Sequence, residues 1–185
     1  GPPGDPPMRF QVSPADIKKA NVPHEIFLTN LIGNHVLMAV AVGGVAGTFP
    51  WAMAIIPIIS FALLGYTLWR ARKALTQDPW YPMCHWQVCA RRSQIFILML
   101  SLLLFFVLMG WIGYTHLGLM REAVLALIVG IGILPVMVTV LILILFESEA
   151  LYHANQAKLP AWVVERYPNP PEIPIIEDVK PHYYD

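Results

Sequence analysis

The sequence predicts an all-α integral membrane protein: four transmembrane helices forming two antiparallel hairpins, with extended, proline-rich cytoplasmic arms at both ends. Three observations lead there. Of 185 residues, 57% are hydrophobic and only 13% charged, against about 45–50% and about 25% in soluble domains; the mean hydropathy is +0.58. Three long runs, Trp51 to Trp69, Ile95 to Tyr114 and Ala123 to Phe146, carry no charge. Each has the roughly 20 residues a helix needs to cross about 30 Å of hydrocarbon. Finally, the basic residues gather in alternate connections, as a chain that crosses a bilayer repeatedly requires.

The chain opens with GPPGDPP before Met8. A Gly-Pro start resembles what tag cleavage leaves behind, and Met8 can serve as a natural start, so residues 1–7 are set apart. The N-terminal arm runs to residue 30 and lacks the basic, apolar, small-residue order of a secretory signal. Within it, SPADIKKA predicts a short helix with Ser13 as N-cap and Pro14 at the first helical position.

A first span over 31–49, LIGNHVLMAVAVGGVAGTF, is less apolar than the other three. Charge decides for it. With four crossings, Arg9, Lys18, Lys19, Arg70, Arg72, Lys73, Arg91 and Arg92 share one side, while Arg121 stands alone on the other. That is the cytoplasmic excess of Lys and Arg expected of membrane proteins. Gly43, Gly44 and Gly47, with Ala39, make a small-residue face where another helix can approach closely. Packing against the second or fourth helix and docking of another subunit both suit that face.

The second span covers 51–69 after Pro50, which fits a helix start. The third covers 95–114 and the fourth 123–146, and Pro57 and Pro135 are expected to bend their helices. Beyond residue 146 nothing breaks the fourth helix until Pro160. Glu147 and Glu149 then sit at the membrane boundary, within reach of Arg70, Arg72, Arg91 and Arg92. A wet ion pair there contributes only about 0–1 kcal/mol.

The basic loop 70–94 contains DPWYPMCHWQVCARRS, and Cys84, His85 and Cys89 in it are candidate metal ligands. Structural zinc asks for four donors, typically two close pairs; here a single pair would need Glu149 and His153 to complete it. An interfacial collar explains more residues. Trp80, Tyr81 and Trp86 suit headgroup depth, Arg91 and Arg92 mark the membrane edge, and Pro79 and Pro82 shape a loop. Trp69 joins that belt, and Trp51, Trp111 and Tyr114 form the opposite one. No metal is therefore expected.

Haem ligands would come from His35 and His116, which lie near opposite faces and cannot share one iron, so no cofactor is expected. A carrier is disfavoured because no Asp, Glu, Lys or Arg lies within the spans. Zero net charge argues against nucleic acid as a partner. In the tail, Trp162, Ile173, Ile175, Ile176, Tyr183 and Tyr184 are too apolar for a solvated linker. EIPIIEDV reads as an extended segment able to join a sheet edge.

Residues 1–30 thus form a cytoplasmic arm, 31–147 the transmembrane domain, and 148–185 a helix extension with a tail. The function expected is non-catalytic: an accessory or assembly subunit of a larger membrane complex in a bacterial inner membrane, with both termini cytoplasmic. Its partners are the lipid bilayer and other membrane subunits, held by Gly43, Gly44, Gly47 and the arms. The alternative is a small haem or metal-binding redox protein using His35, His116, Cys84, His85 and Cys89. A third reading is a small oligomeric transporter.

Overall fold

The computed structural model describes residues 6–176. Strand β1 (Met8–Phe10) leads into four long helices, α1 (Pro14–Gly43), α2 (Pro50–Gln77), α3 (Trp80–His116) and α4 (Arg121–Asn155). Strand β2 (Lys158–Leu159), helix α5 (Ala161–Arg166) and strand β3 (Ile175–Ile176) follow. All four long helices are long and apolar enough to cross a membrane. At about 1.5 Å per residue, α3 is about 55 Å long, well beyond the about 30 Å of a hydrocarbon core.

Each helix overshoots its apolar run at the same end, and there the fold departs from expectation. The helix begun at SPADIKKA does not stop. Ser13 caps it by accepting a hydrogen bond from the Asp16 N–H at 3.2 Å, and the helix continues past Pro23. It then passes through a π-helical stretch, Thr29–Met38, to Gly43. The expected arm of residues 1–30 is therefore mostly the first half of α1.

The basic loop 70–94 contracts to the turn at Asp78–Pro79. Both carboxylate oxygens of Asp78 accept from Arg70 at 2.8 Å, closing that turn. Pro79 is the N-cap of α3, and Pro82 lies in its first turn, where a missing N–H costs no intrahelical bond.

The stretch read as an interfacial collar is instead an interior. Six consecutive residues, Tyr81 to Trp86, are all buried, Tyr81 completely. A helix buried on every side is a core helix, not one lying in a membrane surface. The layers around it come from the same chain. Ala71 and Ala74 of α2, Ala20 of α1, Val163 and Val164 of α5, Leu159 of β2 and Phe10 of β1 form one cluster with Tyr81, Met83, Cys84 and Trp86. The Tyr81 hydroxyl donates to the Ala154 carbonyl at 2.8 Å and the Trp80 indole N–H to the Tyr167 carbonyl at 2.9 Å. Trp51, Trp69, Trp111 and Tyr114 do stand exposed on the bundle surface, as belt residues should.

The terminal segments close over this core as a three-stranded antiparallel sheet ordered β2-β1-β3. Arg9 faces Lys158 on one side and Ile176 on the other, and Phe10 faces Ile175. The tail does join a sheet edge, but one supplied by its own N-terminus. Trp162 and Ile173 pack against the same cluster; Tyr183 and Tyr184 lie outside the described residues.

A second apolar cluster continues along the bundle axis through Phe27, Leu31, Leu64, Phe96, Leu100, Val136 and Val140. In α4 a π-helical stretch, Ile128–Ile133, ends just before Pro135. Widening the helix there relieves the clash between a proline ring and the carbonyl four residues earlier.

Candidate metal centre

Between the two apolar clusters lies a buried polar group to which three helices contribute. His24 comes from α1, His85 and Cys89 from α3, and Glu147 from α4; all four are at most 1% exposed. They stand outside the apolar runs 95–114 and 123–146, in the part of the bundle that overshoots. The placement follows from helix geometry. His85, Cys89 and Arg92 recur at spacings of four and three and so share one face of α3.

The contacts are short. His24 Nδ1 lies 2.7 Å from Glu147 Oε2 and 3.1 Å from Cys89 Sγ, and Cys89 Sγ lies 3.5 Å from that carboxylate oxygen. On the far side of the ring, His24 Nε2 and His85 Nδ1 share a hydrogen bond of 2.7 Å. Arg92 donates to Glu147 Oε1 at 2.8 Å and to the Phe146 carbonyl at 3.2 Å. The Lys158 backbone also approaches the His85 ring. His85 lines a cavity of about 170 Å³ with Arg92, Glu149 and His153.

Burial works against ionising Glu147, yet the hydrogen bonds and charges of His24 and Arg92 outweigh it and hold the carboxyl below its usual range. Burial, aided by that carboxylate, pushes the Cys89 thiol up. Burial alone pushes Cys84 up to about 12, which marks an unreactive core thiol.

Two chemistries can be compared on this geometry. A nucleophilic cysteine needs the thiol on one imidazole nitrogen and an orienting carboxylate on the other. Here thiol and carboxylate converge on the same nitrogen, Nδ1, so that relay is not formed. Convergence of one N, one S and one O donor is instead what a metal ion requires; all three atoms lie within 4.8 Å of one another. Tetrahedral zinc at its usual bond lengths separates such donors by about 3.3–3.7 Å. The thiol–carboxylate distance of 3.5 Å already fits, whereas the His24–Glu147 contact at 2.7 Å and the His24–Cys89 contact at 3.1 Å must open by about 0.6 and about 0.4 Å.

The surroundings fit as well. A ligating histidine ordinarily donates its second N–H to a fixed partner. With Nδ1 on a metal, His24 Nε2–H donates to His85 Nδ1, and Arg92 holds the free oxygen of Glu147. A thiolate and a carboxylate together neutralise a divalent cation, so the buried site carries no excess charge beyond Arg92. Three protein ligands leave a fourth position for an exogenous group.

The sequence candidates divide. Cys89 belongs to the converging donor set and His85 is hydrogen-bonded to its His24, while Cys84 packs in the apolar cluster around Tyr81. Glu149 and His153 lie 3.9 Å apart beside the cavity and do not join the donor set. His24 was not singled out. Its partners are 61 and 123 residues away, and it lies in a segment read as an arm. The available signal was Glu147, a carboxylate directly after a charge-free run. It pairs with an arginine as expected, but it is fully buried, so the wet-interface value does not apply.

His35 and His116 remain apart. His35 is buried against Ser60, with Nε2 2.7 Å from Oγ, and Asn30 donates to the same oxygen at 3.0 Å. His116 is exposed, its ring edge-on to Trp111. A Cβ at Gly43 or Gly47 would meet nothing within 4 Å, and at Gly44 only the carbonyls of Val40 and Ala41; Ala39 packs against the cluster of Val42 with Ala52 and Ile56 of the second helix, but the glycines themselves do not. No family model, curated protein or solved structure matches the chain.

Proposed function

We propose that this chain is a small multi-pass membrane metalloprotein. A divalent ion of borderline softness, with zinc the best fit, sits among His24, Cys89 and Glu147 at the base of the bundle. The observation that carries this reading is the convergence of Sγ and a carboxylate oxygen on one imidazole nitrogen, with the opposite nitrogen held by a second histidine. Four charge-poor helices suit a bilayer. Ten basic residues among those described lie at the overshooting end, against Arg121 at the other, an asymmetry that supports reading that end as the cytoplasmic one, in a bacterial inner membrane. Such an ion would supply Lewis-acid chemistry at a position the protein leaves open. His85 fixes the ligand ring, and Arg92 fixes the carboxylate.

Metal content of the detergent-purified full chain tests this. One equivalent of divalent metal is expected in wild type and in Cys84→Ser, and less than a tenth of that in His24→Ala and Cys89→Ser. Cobalt substitution should add a thiolate-to-metal charge-transfer band that Cys89→Ser abolishes. Background metal in the well-folded wild type, with no cobalt band, would overturn the reading.

A second reading, an accessory subunit of a larger membrane complex, is favoured by the open face at Gly43 and Gly47. It is compatible with the first, since membrane complexes commonly house their metal centres in one subunit.

A further inference from the structure

A groove of about 390 Å³ runs between α3 and α4 at the level where the apolar run of α3 begins and that of α4 ends. Ile95, Ile142 and Leu143 line its lower part and belong to the spans 95–114 and 123–146. Its rim is formed by Arg91, Arg92 and Trp162. An adjoining hollow of about 370 Å³ shares Arg91 and Trp162 and adds Arg166. Among the described residues, no acidic side chain lines either one.

We infer that this groove binds one anionic phospholipid, with its phosphate at the arginine rim and an acyl chain along the apolar wall. The wall continues onto the outward surface of the spans, where Ile95 and Ile142 are exposed, so lipid chains reach it without crossing water. The rim is preorganised. The Arg91 guanidinium lies over the Trp162 ring, 4.7 Å from its centroid, a stack that leaves the edge of its N–H fork free for a phosphate. Arg92 uses Nη1 on Glu147 and Phe146, which holds it in place and leaves further donors. Basic pockets between helices at the cytoplasmic boundary select anionic headgroups in this way. The apolar lower half is what a water-soluble phosphate would leave unfilled. The helical tail that supplies Trp162 is thereby tied to the membrane surface.

Native mass spectrometry of the full chain, extracted from bilayers of equal phosphatidylglycerol and phosphatidylcholine, reads the site directly. One phosphatidylglycerol should be retained preferentially. Arg91→Gln should reduce that preference about five-fold, as expected for one arginine at an anionic membrane surface. Ile142→Trp, which fills the groove without changing charge, should reduce it too, whereas Lys73→Gln on α2 should not. Equal retention of the two lipids, or insensitivity to both groove variants in protein of normal helicity, would overturn the inference. So would displacement of the lipid by millimolar inorganic phosphate, which would mark a site for soluble anions.

Discussion

At the scale of single residues, the buried Glu147 decides most. It ties α1 to α4 through His24 and α3 to α4 through Arg92, and its desolvation is tolerable only because both partners are present. Removing one member of such a group strands the others, at about 3–5 kcal/mol. Glu147→Ala should therefore cost about 3 kcal/mol of stability in metal-free protein, measured by denaturant unfolding in detergent. Adding His24→Leu should cost much less than it does alone, because the stranded imidazole is gone. Strictly additive losses would mean that the two side chains do not act as a pair. Of this group, Cys89 and His85 were legible in the sequence as a cluster of ligand types. Glu147 was legible as a boundary charge. His24 was not legible, because a histidine's role depends on what reaches it from elsewhere in the chain.

Among the elements, the instructive one is α3. Its first half contains tryptophans, prolines and arginines beside an apolar run, the composition of an interfacial segment. Composition cannot distinguish a ring facing headgroups from a ring facing other protein. The covering layers come from residues 8–10 and 158–176, which no local window includes. The same covering makes a local strain visible. Ala157, between α4 and β2, has φ of 59°, a conformation costing an alanine roughly 1–2 kcal/mol more than a glycine. Phe10 N–H donates to its carbonyl at 2.9 Å, so the sheet holds the backbone there. Ala157→Gly should raise stability by about 0.5–1 kcal/mol, the relieved strain less the greater freedom of glycine in the unfolded chain. Thermal unfolding measures it, and a lower midpoint would show that the buried methyl group matters more than the backbone.

The whole molecule divides by solvent. Its overshooting end has its own core and sheet, while the far end is thinly packed. Gly43, Gly47, Gly65 and Gly130 all face open space. In lipid, helices associate through close approach at small residues. If α1 seats a partner there, Gly47→Leu should abolish co-purification of other membrane chains in mild detergent while leaving metal content unchanged. Equal recovery of partners with the variant would remove the glycine face from the docking surface.

Hydrophobic runs, proline positions and the spacing of basic residues determined four apolar helices by themselves, because length and transfer free energy are local, additive properties of a segment. Which polar residues meet was decided only in three dimensions. The overshoot of four helices beyond their apolar runs brings together side chains from positions 24, 85, 89 and 147. Residues 8–10 and 158–176 then fold back over that region, turning an apparent membrane collar into a protein core.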